Sequence, residues 1–329
     1  MLAAGLGTRL RPLTLHRPKP LVPVCGVPLL AYSLALCARH GVHRAIVNAH
    51  WLAPQLEAWQ GEFEGVRVTV CTEQPDILGT GGGLKRVADQ LARRFMVLNA
   101  DVLHDVDLGA LMQAVRLGGA AMALRPDPVN APRYGIVASD RSQTVVQLTS
   151  LATAVPEGEV QRDTHFTGIH AMDRDALSLV PDGFACVVRS AYTDLVPRRL
   201  VGAVRALGFW LDAGDPAAYL DANMQVLDGG VRPALDPFTR AGFAIDGDGR
   251  VYGDVALVRG VAVQGPVWIG PGARLSPGSR VQRSVVGAGA VVPSGSAVIN
   301  SVVWSNAEVP RALAAGSVVH DGGVWAPAT

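Results

Sequence analysis

Two glycines and three polar side chains near the start of the chain are suited to bind phosphate. Gly5 and Gly7 lack the Cβ atoms that keep a ligand away from backbone N–H groups, and glycine adopts positive φ readily. Thr8 adds a hydroxyl and Arg9 adds a fixed positive charge directly after them. Lys19 stands between two prolines, which limit the movement of its ammonium group. These residues predict a loop that binds a triphosphate.

The spacing of these residues differs from that of two common phosphate loops. No Gly-Lys-Ser/Thr follows the glycines, and Leu10 stands where G-x-G-x-x-G requires its third glycine. The run LAAGLGTRLRPLT from Leu2, followed by PKPLVPVCGVP up to Pro28, resembles the sugar-1-phosphate nucleotidyltransferases. The resemblance implies nucleotide contacts from Leu2, Ala3, Ala4, Gly5, Gly7, Thr8 and Arg9, and catalytic roles for Arg9 and Lys19.

A second glycine-rich run follows Glu73 and Gln74, where residues 79–83 read Gly-Thr-Gly-Gly-Gly before a predicted helix over residues 84–94. Bare backbone of this kind lets a nucleotide base lie flat while amides contact its edge. The resemblance implies a base-recognition loop with contacts from Gln74, Gly79 and Thr80. The alternative is an ordinary helix start that Thr80 caps.

Two aspartates are predicted to bind a metal. Asp101 ends an apolar strand, and an aspartate at that position is either a turn former or a ligand that gives Mg²⁺ a hard oxygen. The segment Gly208-Phe-Trp-Leu-Asp212 resembles the family's GFWxD pattern and implies Asp212 as the second ligand. Asp215 is predicted to cap the helix that begins at Pro216. The predicted catalytic set is Arg9, Lys19, Asp101 and Asp212, with Mg²⁺ as the cofactor.

The sugar side of the site resembles the family less closely. Tyr134-Gly135 and Thr167-Gly168 lie in segments similar to those that contact the sugar, which implies a sugar-binding role for all four residues. The Glu-Lys-Pro of many members is replaced by Val146-Gln147-Leu148-Thr149, so the lysine that grips the sugar phosphate is missing. Its replacement stays open among Lys85, Arg133 and Arg162. We expect two nearby histidines, His165 and His170, to be structural.

Alternating strand-like and helix-like segments must position these residues. Strands are predicted over residues 44–48, 66–71 and 95–98, and helices over residues 28–40, 52–59, 84–94 and 108–117. The alternation predicts a Rossmann-like, three-layer α/β domain around a mostly parallel sheet, with ligands at the carboxyl ends of the strands.

The composition changes near residue 228. Arg232 to Pro237 is predicted to be a linker, after which apolar residues recur every six positions with glycines at the corners. Leu257, Val263, Ile269, Leu275 and Val281 follow this spacing, and Val286, Val292 and Val298 resume it after one five-residue step. A six-residue period predicts a short left-handed β-helix. The predicted domains are a nucleotidyltransferase domain (1–227), a linker (228–245) and a β-helix (246–329).

We expect the β-helix to be an oligomerising or regulatory cap, which makes a homo-oligomer the predicted assembly. Many such β-helices are acyltransferases, and His320 is the candidate base here.

Composition excludes several classes of protein. A net charge of +1 across 329 residues gives no electrostatic basis for binding nucleic acid or an anionic membrane. The four cysteines include no C-x-x-C pair, and no long apolar segment is present. These features predict a reduced, cytoplasmic protein with a small-molecule partner. The family resemblance implies that its partners are an NTP, either GTP or UTP, and a sugar-1-phosphate.

The predicted reaction is in-line attack of a sugar-1-phosphate on the α-phosphorus of an NTP, with release of pyrophosphate. The appended β-helix and Leu78-Gly79-Thr80 resemble mannose-1-phosphate guanylyltransferases, and the two-domain layout favours this substrate pair. Residues Leu13 to His16, the glycine run and the missing Glu-Lys-Pro resemble N-acetylmuramate-1-phosphate uridylyltransferases instead. Two other classes stay open: a non-catalytic regulatory subunit and a β-helix acyltransferase.

Only Met1 and Leu2 precede Ala3. Family members usually place four to six mostly apolar residues there, in a central strand. We therefore expect this chain to be a shortened form of the functional protein.

Overall fold

The structure, a computed structural model, describes residues 1–149, 151–152, 160–240, 244–245, 251–252 and 260–328. Leu257, the first residue of the predicted six-residue spacing, lies outside the described residues. The helices of these ranges are α1 (Leu29–Arg39), α2 (Ala53–Glu57), α3 (Gly79–Arg86), α4 (Leu108–Gln113), α5 (Ala131–Tyr134), α6 (Ala191–Leu195), α7 (Pro216–Leu227) and α8 (Pro237–Arg240). Short 3-10 turns cover Thr8–Leu10, Lys19–Leu21, Ala88–Gln90 and Arg174–Leu179.

The strands fall into two series along the chain. The first series is β1 (Pro23–Val24), β2 (Val27–Pro28), β3 (Arg44–Ala49), β4 (Gly61–Phe63), β5 (Val66–Thr72), β6 (Arg94–Val97), β7 (Val102–His104), β8 (Ala120–Pro126), β9 (Ile136–Asp140), β10 (Val145–Leu148), β11 (Leu151–Ala152), β12 (Val160–Asp173), β13 (Val201–Arg205) and β14 (Trp210–Asp212). The second series is β15 (Ala244–Ile245), β16 (Val251–Tyr252), β17 (Ala262–Gln264), β18 (Trp268–Ile269), β19 (Arg274–Leu275), β20 (Arg280–Gln282), β21 (Val285–Val286), β22 (Val291–Val292), β23 (Ala297–Ile299), β24 (Val302–Val303), β25 (Val318–His320) and β26 (Gly323–Trp325).

The chain divides into two compact units whose boundaries do not follow the sequence order. The first unit comprises Met1–Gly5, Cys37–Ala100 and His104–Trp210. The second unit comprises Leu6–Leu36, Asp101–Leu103 and Leu211–Thr329. The domain boundaries predicted at residues 228 and 246 stay a prediction.

The first unit contains a mixed sheet in the order β11-β10-β9-β12-β8-β13, with β6 also paired to β12. The long strand β12 is antiparallel to β6, β8 and β9, and only β13 runs parallel to β8 among the pairs described in this sheet. The prediction of a mostly parallel sheet is therefore wrong. One reason is local: Asp140 accepts hydrogen bonds from the N–H groups of Ser142 and Thr144, and the resulting short turn can join β9 to β10 only as an antiparallel pair.

A smaller sheet in the same unit has the order β3-β5-β4, with β3 parallel to β5. A cavity of about 520 Å³ lies within the unit and is lined by residues of β3 and β6 together with Met1 and Leu2. The Met1 ammonium donates to the Ile46 carbonyl (2.7 Å), and the Leu2 N–H donates to the Leu98 carbonyl (2.8 Å). These two residues thus hydrogen-bond to the segments that carry both sheets.

The second unit contains the β1–β2 hairpin, α7 and the parallel strands of the C-terminal region. In those strands the pairing partners recur 17 residues apart, at Trp268, Val285 and Val302. The side chains on the predicted spacing at Ile269, Leu275, Val281, Val286, Val292 and Val298 are all buried in one apolar core. This stack of parallel strands is consistent with the predicted β-helix.

Most element predictions lie close to the structure, since α1, β3, β5 and β6 begin within one residue of their expected positions. The helix predicted over residues 84–94 is wrong. Helix α3 already ends at Arg86, and β6 begins at Arg94. No helix in the part of the chain that the structure describes combines the length and the apolar character needed to cross a bilayer.

Candidate functional site

Lys19 and two aspartates form a cluster in the second unit. The Lys19 side chain is buried in its 3-10 turn, and its Nζ lies 2.8 Å from Oδ2 of Asp101 and 3.6 Å from Oδ1 of Asp212. Asp101 directly precedes β7, Asp212 ends β14, and these two strands pair with each other. The structure therefore brings together three of the four predicted catalytic residues, although they are far apart in the sequence.

The two carboxylates of this cluster suit a hard divalent cation. Within the described ranges no group of three or more His, Cys, Asp or Glu residues could hold a metal ion. Mg²⁺ needs only one or two protein carboxylates when substrate phosphates complete its octahedral shell. Gly214 leaves room beside the carboxylate, because a Cβ there would lie 2.9 Å from Oδ2 of Asp212. The donor set of Asp101 and Asp212 fits Mg²⁺.

The second unit also holds the rest of the predicted phosphate loop. Gly7 has a φ of 61°, and its carbonyl accepts a hydrogen bond from the Thr14 hydroxyl (2.7 Å), which fixes the turn before Thr8–Leu10. Thr8 and Arg9 are exposed. No hydrogen bond or ion pair of the Arg9 side chain is found among the described residues, so its guanidinium is available to an anion.

The first unit holds the start of the loop and a polar network that sequence reasoning missed. The Ala3 N–H donates to Oδ1 of Asn48 (2.6 Å), and Nδ2 of Asn48 donates to Oε1 of Glu73 (2.8 Å). The other carboxylate oxygen of Glu73 accepts the Leu78 N–H (2.7 Å). Asn48 and Glu73 are buried, so this network ties the predicted nucleotide contact Ala3 to the residue that precedes the glycine run. Ala4 is also buried, whereas Gly5 is exposed.

The glycine run lies inside a helix and not in a loop ahead of one. Helix α3 begins at Gly79, and a Cβ at Gly79 would meet the Ala185 carbonyl oxygen at 2.6 Å. A Cβ at Gly82 would meet the Gly183 oxygen at 2.0 Å, and one at Gly83 would meet Glu73 at 2.6 Å. The glycines therefore permit close packing of the helix against a backbone segment, which accounts for the misplaced helix prediction.

Thr80 does not cap this helix. Its hydroxyl accepts the N–H of Val187 (3.0 Å), and the first turn has no side-chain cap. Gln74, the other predicted base contact, is exposed directly after the buried Glu73.

An aromatic cluster surrounds the predicted sugar-binding residues. The ring of Tyr134 stacks on His165 with 4.7 Å between centroids and meets Trp210 edge-on at 5.5 Å. Nε1 of Trp210 donates to the carbonyl of Thr167 (2.9 Å), whose hydroxyl donates to the Ala123 carbonyl. The Thr167 hydroxyl is thus hydrogen-bonded to the backbone. The Tyr134 ring is the exposed part of this aromatic cluster.

Glycine is required at both predicted glycine positions of this cluster. Gly135 has a φ of 94° and Gly168 has a φ of 82°. A Cβ at Gly168 would lie 2.3 Å from Nδ2 of Asn99.

The two histidines that we expect to be structural, His165 and His170, are both buried. His170 is buried, its Nδ1 lies 2.7 Å from the Tyr192 hydroxyl, and burial lowers its pKa to about 3. Burial also lowers the pKa of His165. Both rings are therefore neutral near pH 7.

The three candidates for the missing sugar-phosphate cation differ in their contacts. Lys85 donates to the Val180 carbonyl and pairs with Asp182 at 2.8 Å. Nε of Arg162 lies 3.5 Å from Oε1 of Gln147. The Cζ of Arg133 lies 5.8 Å from the centroid of the Tyr134 ring. Arg133 is thus the candidate that stands beside a predicted sugar contact.

Two further residues, Asp215 and His320, were predicted to be a helix cap and a candidate acyltransferase base. Asp215 caps α7, because its Oδ1 accepts the Ala218 N–H (2.9 Å) as predicted. Nδ1 of His320 accepts the Gly322 N–H (3.1 Å), so the proton of the neutral ring is on Nε2. That tautomer has no free lone pair on Nε2, which counts against His320 as the base of an acyltransferase.

Comparisons with known proteins agree on one family. The family model for nucleotidyl transferases matches residues 1–229. The chain is 30% identical to a mannose-1-phosphate guanylyltransferase of Mycobacterium tuberculosis, covering 87% of this chain and 78% of that protein. It is 28% identical to a UTP–glucose-1-phosphate uridylyltransferase of Synechocystis, covering 87% and 81%. The crystal structure of HddC from Yersinia pseudotuberculosis shares the fold, with a TM-score of 0.54 and 22% identity over 68% of this chain and 96% of that one.

Proposed function

Since the chain belongs to the nucleotidyl transferase family and is a sugar-1-phosphate nucleotidyltransferase, we propose that it joins mannose-1-phosphate to the guanylyl group of GTP. The products are a nucleoside diphosphate sugar and pyrophosphate. The observation that carries the catalytic part of the proposal is the cluster of Lys19 with Asp101 and Asp212. The guanylyltransferase from M. tuberculosis, which aligns with 87% of the chain, supports the choice of substrates.

The reaction is a displacement at phosphorus that needs no protein nucleophile. An oxygen of the sugar phosphate forms a bond to the α-phosphorus as the bond from that phosphorus to pyrophosphate breaks. Because the attacking oxygen is already anionic, no general base is required. The protein supplies position and positive charge, as phosphoryl transfer generally demands.

Each cationic residue has a separate task in this scheme. Arg9, together with the backbone N–H groups around Gly7, neutralises the pyrophosphate that leaves. Lys19, held beside Asp101, places its ammonium against charge that develops on the reacting phosphates. Asp101 and Asp212 would hold Mg²⁺, which when bound supplies Lewis-acid stabilisation of phosphate charge. Arg133, beside Tyr134, takes the role of the missing sugar-phosphate lysine.

Uridylyl transfer is the second candidate. The uridylyltransferase from Synechocystis aligns with the same share of the chain, and the Thr80-Gly-Gly-Gly83 run resembles uridylyltransferases of another sugar-1-phosphate.

Pyrophosphate release across a panel of NTPs and sugar-1-phosphates separates the candidates. We expect GTP with mannose-1-phosphate to be the fastest pair, with an Asp101→Asn variant as the inactive control. Turnover ten-fold faster with UTP than with GTP would reverse the choice of base. Acyl-CoA turnover measured alongside tests the acyltransferase alternative, and an absence of pyrophosphate release with every pair would leave the regulatory subunit.

A further inference from the structure

The segment that carries Lys19 is fastened to the β-helix at both of its ends. On the N-terminal side, Nη2 of Arg17 donates to Oδ2 of Asp321 (2.8 Å), and its Cζ lies 4.5 Å above the ring of Trp304. All of these residues belong to the second unit. Because Arg17 is two residues before Lys19, its position limits where the lysine backbone can go.

On the C-terminal side, a chain of hydrogen bonds runs from Trp304 to the backbone after the Lys19 turn. Nε1 of Trp304 donates to the Tyr219 hydroxyl (2.9 Å), and that hydroxyl donates to the Pro23 carbonyl (2.5 Å). Both rings are fully buried. Burial raises the pKa of Tyr219, which keeps its hydroxyl protonated and able to donate.

The hairpin that follows is held by the same region. Its turn residues Cys25 and Gly26 have φ values of 45° and 75°, and the Cys25 N–H donates to Oδ1 of the buried Asn223 (2.8 Å). A Cβ at Gly26 would lie 2.0 Å from Cη2 of Trp268, so the indole of this β-helix residue covers the turn directly. The turn therefore cannot shift without moving Trp268.

We propose that the β-helix positions Lys19 for catalysis, with Trp304 and Tyr219 as positioning residues. The inference rests on the proposed function for its kinetic consequence and on the contacts above for its structural part. It departs from the expectation that this domain is an oligomerising or regulatory cap. Trp304 touches Arg17 and Tyr219, so a single indole restrains the Lys19 segment from both sides.

The variants Trp304→Phe and Tyr219→Phe test the proposal, with Trp325→Phe as the matched control. Trp304→Phe keeps an aromatic ring but loses the donor to Tyr219, and Tyr219→Phe loses the donor to Pro23. Trp325 lies in β26, and its main-chain partner is Val318.

The sequence offers a direct readout, since Lys19 and Lys85 are its only lysines. Protein labelled with ¹³C- and ¹⁵N-lysine should give one ε-methylene signal for each, assigned with Lys85→Gln. In Trp304→Phe and Tyr219→Phe we expect the Lys19 signal to shift and broaden while the Lys85 signal stays unchanged. The Trp325→Phe control should leave both signals as in the parent.

Kinetics give the second readout. We expect kcat to fall about 10- to 100-fold in either variant, because small misplacement of a catalytic group costs that much. The KM for NTP should change little, and Trp325→Phe should keep the parental kcat. A Lys19 signal unchanged in both folded variants would overturn the proposal. The lysine spectrum is recorded without substrate. It therefore tests whether the β-helix positions Lys19 even if the proposed sugar and base are wrong.

Discussion

Replacing Asn48 by alanine should uncouple two segments of the first unit that are predicted to bind nucleotide, the one at Ala3 and the one after Glu73. The substitution removes the acceptor of the Ala3 N–H and the donor to Oε1 of Glu73. Glu73 is fully buried and would keep its bond from the Leu78 N–H. A lost hydrogen bond to a charged group costs about 1.5–3 kcal/mol, and the unpaired Ala3 N–H costs about 1–3 kcal/mol more. We expect the free energy of unfolding to fall by about 2.5–6 kcal/mol.

Urea unfolding of the parent and of Asn48→Ala measures this change. Where the variant stays folded, the KM for NTP should rise, since the Ala3 N–H loses the acceptor that fixes its position. Asn48→Asp should destabilise the protein more. It keeps the acceptor of the Ala3 N–H but places a second carboxylate against that of Glu73. A loss of less than 1 kcal/mol in Asn48→Ala, with NTP affinity unchanged, would refute the reasoning.

Three further outcomes are expected. Asp101→Asn and Asp212→Asn should each lower turnover by orders of magnitude while the protein stays folded, because each removes charge but no core volume. Near-parental turnover in either variant would contradict the proposed site. Arg133→Gln should raise the KM for the sugar-1-phosphate about ten-fold while Lys85→Gln does not, and the opposite ranking would assign the role to Lys85. Burial lowers the pKa of the Met1 ammonium from 8.0 to about 6. Between these two pH values the unfolded chain binds more protons than the folded one, so the free energy of unfolding should rise with pH by up to about 3 kcal/mol. N-terminal acetylation should abolish this rise, and the same pH dependence in the acetylated protein would contradict the prediction.

Sequence reasoning succeeded where the residues of interest lie in short, contiguous motifs. The glycines of the phosphate loop, Lys19 and the two aspartates stand in contiguous motifs, and the structure brings Lys19, Asp101 and Asp212 together. The roles assigned to them, and the Mg²⁺ they would bind, stay predictions. The stack of parallel strands in the C-terminal region was likewise foreseeable from one-dimensional periodicity.

The failures concern contacts between distant segments. The glycine run signals a flexible loop when read alone, but its glycines make room for residues 183–187, which lie about a hundred positions away. Asn48 and Glu73 carry no local pattern, since a single buried amide or carboxylate in a strand end resembles any polar residue. The mixed sheet was missed for the same reason, because strand direction depends on which distant strands pair.

The fastening of the Lys19 segment also constrains the order in which the protein can fold. Trp304 lies 285 positions after Lys19. During synthesis, Arg17 therefore cannot contact Trp304 until nearly the whole chain has been made. Contacts of such high sequence separation form late, because loop closure must precede them. Until then the turn at Cys25 and Gly26 and the ring of Tyr219 lack their indole partners. A nascent chain that has already built the first unit therefore lacks these contacts of the Lys19 segment until the β-helix is in place.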